Sequence, residues 1–402
     1  MSRSGAVIID AVRTPVGKYG GVLRDVRPDD LSAIIITSLV TRTKLDTQFI
    51  DDVIWGCANQ AGEDNRNIGR MGALLAGLPH SVPGTTINRL CGSSLDAINQ
   101  AARAIWSDDL HCVIAGGVES MSRAPYSVPK NQSGTFGNVT AYDTALGWRY
   151  PNPKMEKMFP LESMGETAEN VAEKYTISRQ EQDTFACNSH MKAVRAQREG
   201  VFANEIIPVE LPQKKGTPIV VSGDEGPRAD TSIEKLAKLS PAFRKDGTVT
   251  AGNSSTLNDG SAGVLIMNEQ RAKELHLQPM ARIVATGIAG VDPRYMGIGP
   301  VPAVQSALKK ANLTINQIDL IELNEAFAAQ SIAVIRDLKI DTARLNVNGG
   351  AIALGHPLGC SGARIMTTLV HELARRKVRY GLATMCIGVG QGIATIVENL
   401  RL

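Results

Sequence analysis

Aromatic side chains are scarce in this sequence: Phe, Trp and Tyr make up 4% of its 402 residues. Proteins that bind single strands stack bases on such rings, so that class has little support. Neither sign of charge dominates. The 43 basic and 40 acidic residues leave a formal charge of +3, which gives no push toward DNA, RNA or an anionic membrane surface. No apolar run approaches the roughly 18 residues of a membrane span. Six cysteines are present, at positions 57, 91, 112, 187, 360 and 386, and none forms a Cys-x-x-Cys pair. Zinc and dithiol redox motifs are therefore missing, and the thiols are too few for a disulfide scaffold. The N-terminus enters a predicted strand by Ala6, leaving no room for a signal or transit peptide, and the C-terminal Asn399-Leu400-Arg401-Leu402 is not a peroxisomal tail. The expectation is a cytoplasmic protein with reduced cysteines, no membrane insertion and no nucleic-acid partner.

What is present is an ordinary globular composition, 43% hydrophobic, with 38 glycines. At about 150 residues per domain, the length suggests two or three domains. The first 120 residues alternate short apolar strands (Ala6 to Ile9, Asp52 to Trp55, Cys112 to Ala115, the last closed by Gly116-Gly117) with helical stretches such as Leu31 to Val40. After Cys91, residues Leu95, Ile98, Ala102 and Ile105 share one helix face. Residues 122–248 are rich in proline and hold one clear predicted helix, from about Glu166 to Gly200, so they read as a loop domain. Strands resume at Val264 to Met267 and Ala281 to Val284. The last 120 residues return to strand–helix alternation: Ile318 to Glu322 leads into a helix at Ala326, Ile365 to Leu373 forms a helix face, and Leu382 to Cys386 is a strand closed by Gly388-Val389-Gly390.

The two ends resemble a degenerate repeat. In each, a cysteine corner opens an amphipathic helix (Cys91-Gly92-Ser93-Ser94 and Cys360-Ser361-Gly362-Ala363), and an apolar strand with a glycine-rich exit follows. This predicts two pseudo-symmetric α/β halves with an inserted loop domain: 1–121 completed by 249–275, then 122–248, then 276–402.

Chemistry-bearing residues fall at the strand–helix corners. Cys91 precedes a predicted helix, whose positive N-terminal end favours a thiolate; a structural cysteine at a tight corner is the other reading. His356 is embedded among Gly349, Gly350, Gly355, Pro357, Gly359 and Gly362, a rigid setting for an imidazole that must be aimed, or for one that merely packs. Cys386 enters Gly388-Val389-Gly390-Gln391-Gly392, whose backbone N–H groups suit an oxyanion. That run is not the dinucleotide fingerprint. Asn324 is a helix N-cap or the holder of a water. Two thiols, a histidine and an asparagine together suit thioester exchange with carbon–carbon bond cleavage or formation.

These segments resemble the thiolase family, and the resemblance spans nearly the whole chain. Asn88-Arg89-Leu90-Cys91-Gly92-Ser93-Ser94 looks like its nucleophile motif. Asn324-Glu325-Ala326-Phe327, Gly355-His356-Pro357 and Cys386-Ile387-Gly388 look like the other three. The resemblance implies a layered αβαβα fold and the following site. His356 takes the proton of Cys91, the thiolate attacks the 3-keto carbon of a 3-oxoacyl-CoA, and Cys386 protonates the departing acetyl-CoA carbanion. One oxyanion hole uses His356 and a water held by Asn324; the other uses the N–H groups of Cys91 and Gly388. The loop domain binds coenzyme A, with Arg228 and Ser255 contacting it and Met164, Phe243, Ala251, Ala326 and Phe327 lining the way in. Lys214, Lys215, Lys235 and Lys238 would add positive charge for its phosphates. Coenzyme A is a substrate, and neither a metal nor a tightly bound cofactor is implied. A homodimer or homotetramer and a β-oxidation enzyme partner are also implied. Cys360 and Arg13 are expected to be structural.

Biosynthetic members of the family typically carry His-Met-Gly where this chain has Ser163-Met164-Gly165. The serine leaves room for longer acyl chains, which favours a 3-ketoacyl-CoA thiolase of fatty-acid β-oxidation. The alternatives are an acetoacetyl-CoA thiolase, or a 3-oxoadipyl-CoA thiolase of aromatic degradation. The last is suggested by Asp143-Thr144-Ala145-Leu146-Gly147-Trp148-Arg149, where Arg149 either pairs with a distal carboxylate or helps pack the loop. From other classes, a decarboxylating condensing enzyme would usually have histidine at Cys386, and a non-catalytic relative would lack one of the motifs.

Overall fold

Strands apolar on both faces must be covered on both sides, and that requirement builds this fold. The computed structural model describes residues 5–130 and 138–402; residues 1–4 of the expected N-terminal half and 131–137 of the expected loop domain lie outside the described residues. The first half contributes β1 (Ala6–Arg13), α1 (Pro28–Thr43), β2 (Asp52–Gly56), β3 (Thr85–Ile87), α2 (Ser93–Trp106), β4 (Cys112–Ser120) and, after the middle segment, β5 (Asn258–Asn268). The middle segment carries α3 (Met164–Lys174) and α4 (Arg179–Arg198). The second half contributes β6 (Ala281–Gly290), α5 (Pro300–Ala311), β7 (Leu320–Leu323), α6 (Ala328–Leu338), α7 (Leu358–Arg376), β8 (Tyr380–Ile387) and β9 (Gln391–Asn399).

The strand order is β3-β2-β4-β5-β1-β6-β9-β8-β7. It is mirrored about the β1–β6 junction. On one side β1 pairs with β5 and β5 with β4 antiparallel, while β4–β2 and β2–β3 are parallel. On the other side β6–β9 and β9–β8 are antiparallel and β8–β7 parallel, and Leu345 bridges Ile321 in parallel where the mirror of β3 would stand. In the sheet the halves pair through Val7 opposite Arg282 and Ile8 opposite Ala281.

Helices α2 and α7 pack on each other between the two half-sheets. Their expected apolar faces, Leu95, Ile98, Ala102 and Ile105 with Ile365, Met366, Leu369, Val370 and Leu373, share one buried cluster with Ile8, Val113, Val264, Met385 and Ile393. Gly362 permits the approach: a Cβ there would lie 2.4 Å from the backbone nitrogen of Leu95. Helix α1 covers one outer face with Leu31, Ile35, Ile36 and Leu39, and α5 covers the other with Ala303, Val304 and Ala307. The result is the αβαβα layering, built from two pseudo-symmetric halves.

Four local expectations change. Gly116-Gly117 does not close a strand, because β4 continues to Ser120. A Cβ on Gly116 would lie 2.6 Å from the Trp55 ring, so this glycine serves packing rather than turning. The single helix expected over 166–200 is two helices. Thr176 takes φ +51°, and Ser178 starts α4 with a capping box to Glu181. Helix α6 starts at Ala328, so Asn324 is not its N-cap. Helix α7 starts at Leu358, which puts Cys360 inside its first turn rather than at a corner ahead of it. No helix of the described residues is long and apolar enough to cross a membrane.

Candidate active site

Cys91 sits in the short link between β3 and α2. Leu90 is forced to φ +47°, and the corner closes on its own neighbours. Ser93 Oγ accepts the N–H of Arg89 (2.9 Å) and donates to the Leu90 carbonyl (2.6 Å), while Asn88 Oδ1 accepts the N–H of Leu90 (2.9 Å). The residue is partly accessible, yet its sulfur is surrounded by protein. Burial pushes the thiol up to about 11; the N–H groups of Gly388 and of Cys91 itself act the other way, and Glu119 adds to the rise. The lowered thiol pKa expected from the helix dipole is therefore not what the free protein has. Desolvation outweighs the dipole, and Cys91 rests as a thiol.

Cys386 is the penultimate residue of β8 and is buried. Burial raises its thiol strongly, and charge on neighbouring Cys91 raises it further. Gly388, whose N–H faces the Cys91 sulfur, opens a tight hairpin in which Val389 and Gly390 both have positive φ, +61° and +76°.

His356 lies just before α7. Gly355 at φ +105° packs on the Asn258 side chain, and Asn258 Oδ1 accepts the His356 N–H at 2.9 Å. Burial, then Arg364, pushes the imidazole down to about 3, so it is neutral at neutral pH. Ser361 Oγ lies 2.6 Å from Nδ1 and donates its only hydrogen to the Pro357 carbonyl at 2.9 Å. With the Ser361 hydrogen on the Pro357 carbonyl, Nδ1 carries the ring proton, and Nε2 keeps a lone pair with which to act as a base. Asn324 follows β7 and is fully buried. Its Nδ2 is 3.4 Å from Nε2 and 3.5 Å from Nδ1, and its Oδ1 has no hydrogen-bond partner among the described residues. Its N–H bonds the Thr384 carbonyl at 3.0 Å, two residues from Cys386. The four corner residues named by the sequence thus gather at one end of the central helices.

Of the residues expected to contact coenzyme A, Met164, Ala326 and Phe327 pack together with Cys386. Phe243 meets Phe327 edge-on, ring centroids 6.2 Å apart, and the Ser255 N–H bonds the Ala326 carbonyl at 3.0 Å. Ala251 is exposed nearby. Arg228 stands apart from this cluster, its N–H donating to His190 Nδ1 at 3.2 Å. Among the surface lysines, Lys235 is paired with Asp230 at 2.7 Å, while Lys214 and Lys215 are exposed. Cys360 is buried in the central core cluster. Arg13 is 1% exposed and bonded to Glu205 at 2.6 Å and to both oxygens of Asp224 at 2.7 and 2.9 Å, which ties β1 to the middle segment.

Ser163 has a structural employment of its own. Its side chain accepts the Glu166 N–H and its N–H donates to Glu166, a capping box at the start of α3. The helix start is thus a reason of its own for a serine at this position.

Three positions contribute that the sequence reading did not single out: Ser361, Asn258 and Glu119. Buried Glu119 accepts N–H groups from Gly359 (2.7 Å), Ala58 (3.0 Å) and Asn59 (3.1 Å), and Ala58 in turn accepts Asn88 Nδ2 at 3.0 Å. This carboxylate links the histidine loop to the cysteine loop. It also groups with Cys57 and Asp64, whose ligand-type atoms lie within 4.8 Å of it. Asp64 likewise accepts the N–H groups of Gln60 and Gly62, so these oxygens are already employed in shaping loops. Ser361 was within reach of sequence reasoning, as the hydroxyl in the first turn after the histidine.

The chain is similar to known proteins along nearly its whole length. A family model described as "Thiolase, N-terminal domain" matches residues 6–270, and "Thiolase, C-terminal domain" matches 277–399. A "Beta-ketoadipyl-CoA thiolase" of Acinetobacter baylyi is 55% identical over 399 residues, covering 98% of this chain and 99% of the relative. The "3-oxoadipyl-CoA/3-oxo-5,6-dehydrosuberyl-CoA thiolase" of Escherichia coli K12 is 55% identical over 398 residues, with the same coverage. Among solved structures, the Bacillus anthracis acetyl-CoA acetyltransferase superposes with a TM-score of 0.93 at 44% identity, and human mitochondrial 3-ketoacyl-CoA thiolase with 0.93 at 42%, each over 99% of both chains.

Proposed function

Since the chain belongs to the thiolase family and is an acyltransferase with coenzyme A as a substrate, we propose that it cleaves 3-oxoadipyl-CoA with coenzyme A, releasing acetyl-CoA and a shortened acyl-CoA. The choice of substrate is supported by the names of the full-length relatives at 55% identity, which favour the aromatic-degradation alternative over β-oxidation. Reading the chain as a thiolase for unbranched 3-oxoacyl-CoA keeps support from the human mitochondrial enzyme at 42% identity.

The observation that carries the chemistry is the buried, neutral His356, gathered at one end of the fold with Asn324 and two thiols. In this reading Nε2 takes the proton of Cys91 as the thiolate attacks the 3-keto carbon. A thiol at about 11 is not ionised beforehand, so the proton moves as substrate arrives. The oxyanion formed on that carbon is held by the N–H groups of Gly388 and Cys91. As the C2–C3 bond breaks, the acetyl-CoA enolate oxygen is held by protonated His356 and a water on Asn324, and Cys386 gives its proton to the carbanion. Coenzyme A then attacks the acyl-Cys91 thioester. Met164, Phe243, Ala251, Ser255, Ala326 and Phe327 line the pantetheine path, and Arg228 meets the nucleotide end.

The division into 1–121 with 249–275, 122–248 and 276–402 belongs to the same reading and is supported by β5 returning to lie between β1 and β4. So do a cytoplasmic location, supported by six free thiols, and a dimer or tetramer, supported by the open outer edge of β3.

The test is a set of initial thiolysis rates on acetoacetyl-CoA, 3-oxooctanoyl-CoA, 3-oxohexadecanoyl-CoA and 3-oxoadipyl-CoA, with Cys91→Ala as the blank. The highest kcat/KM is expected on 3-oxoadipyl-CoA. A maximum on the unbranched longer chains returns the protein to β-oxidation.

A further inference from the structure

A substrate with a free carboxylate at the end of its acyl chain needs a cation where that end comes to rest. The arginines around the candidate site are mostly matched to acids. Arg89 pairs with Asp96 at 3.0 Å, Arg123 with Glu63 at 2.6 Å and Arg294 with Glu162 at 3.2 Å. Arg149 is different. Its guanidinium donates to two neutral carbonyls, Thr144 O at 2.6 Å and Asn59 O at 3.3 Å, and no carboxylate of the described residues pairs with it. Residues 1–4 and 131–137 contain no acid in the sequence. Of the five N–H donors of a guanidinium, two are used among the described residues, which leaves three and a whole positive charge on a half-buried side chain.

The position of this charge is set from two sides. Asn59 is adjacent to Ala58, whose carbonyl holds Asn88 of the cysteine loop, and the Asn59 N–H is bound by Glu119, which also holds Gly359 of the histidine loop. On the other side Trp148 Nε1 donates to the Glu162 carbonyl at 3.1 Å. Two residues on, Met164 lies over Gly388, its sulfur 3.3 Å from where a Cβ there would stand. Trp148 and Arg149 therefore span from the loops that carry Cys91 and His356 to the segment that covers Gly388. In 3-oxoadipyl-CoA the carboxylate lies three carbon–carbon bonds beyond the carbon that Cys91 attacks, on the side away from coenzyme A.

Resting on the substrate reading above, we propose that Arg149 is the carboxylate-binding end of the acyl pocket, receiving the distal carboxylate of a 3-oxodicarboxylyl-CoA. The planar fork, anchored by two carbonyls, presents its free donors without reorganising, and an arginine–carboxylate pair is strongest in that arrangement.

The experiment compares kcat/KM for thiolysis of 3-oxoadipyl-CoA and 3-oxohexanoyl-CoA, which differ only in a carboxylate against a methyl group. In Arg149→Gln the ratio of the two constants is expected to fall about 30-fold, as loss of a charged hydrogen-bonded pair requires. Equal falls on both substrates mean that Arg149 only holds the loop, and overturn the proposal. Should the glutamine variant not fold, Arg149→Lys supplies the answer. Loss of the fork lowers the ratio by about 5-fold, and an unchanged ratio overturns the proposal. A wild-type enzyme that prefers 3-oxoadipyl-CoA while Arg149→Gln keeps that preference removes this inference and leaves the substrate reading standing. A wild-type enzyme with no such preference removes the substrate reading itself.

Discussion

The two corners that carry Cys91 and His356 occupy corresponding places, each just ahead of one of the paired central helices, yet the backbone beside each is held differently. The cysteine corner closes on itself: Arg89, Leu90 and Ser93 exchange hydrogen bonds within four residues of one another. The histidine corner is clamped from afar. Asn258, 98 residues earlier, holds the His356 N–H, and Glu119, 240 residues earlier than Gly359, holds the first turn of α7. A nucleophile that must admit a bulky thioester is carried on a turn closed by its own neighbours, with Asn88 and Arg89 reaching out to Ala58 and Gln391. A base that must be aimed is fixed by the rest of the fold.

The largest effect that bears on this contrast comes from Cys91→Ala. It should remove the acyl-enzyme and lower thiolysis by at least ~10⁴-fold. Intact mass after incubation with acetyl-CoA checks it, and a stable acetyl adduct in the variant refutes the assignment of the nucleophile. Next comes a matched pair, one variant for each corner. Asn258→Ala should lower kcat by about 10²-fold, because it releases the backbone that aims His356. Ser93→Ala, which removes only two local bonds, should destabilise by ~1 kcal/mol with a smaller loss of rate. Urea unfolding and steady-state kinetics measure both, and similar rate losses in the two variants break the contrast.

The smallest effect is on the pH profile. With His356 down at about 3, kcat/KM should show no acid limb at the ordinary histidine value of 6.5. Stability should respond instead. The unfolded chain takes up the proton near 6.5 and the folded chain only near 3, so this contribution is complete above 6.5. It is lost as pH falls from 6.5 toward 3, at up to ~1.4 kcal/mol per pH unit. Urea midpoints between pH 7 and 5 follow it, and a rate inflection at 6.5 contradicts the buried, neutral imidazole.

The same contrast explains what the sequence disclosed. The corners were legible because glycine, cysteine, histidine and asparagine cluster there in short segments, and the paired helices were legible from their apolar spacing. Residues that act over long separations were not. Nothing near Asn258 or Glu119 in the chain announces that they hold His356's loop, because their partners are supplied by strand pairing. Gly116-Gly117 misled because glycine in a strand and glycine in a turn look alike until Trp55 is seen to need the space. The break at Thr176 was hidden because the residues on both sides suit a helix, and only the capping box at Ser178 marks the restart. The capping role of Ser163 was also missed, although Glu166 stands three residues on. The opposed influences on Cys91 could not be weighed from sequence, since the dipole is local and desolvation depends on everything packed around it.

The mirrored strand order has a consequence for how the chain comes into being. In the first half, β5 lies between β1 and β4, so those strands have no direct contact in the sheet. As the chain leaves the ribosome, β1 to β4 emerge with the centre of their sheet missing, and the gap closes only once residue 268 is free. The second half has the same plan, with β9 ending at Asn399. Each half thus waits for its last strand with open, apolar edges, a state prone to aggregation. Nascent-chain truncations ending before residue 258 are the species in which a chaperone would find the most to hold.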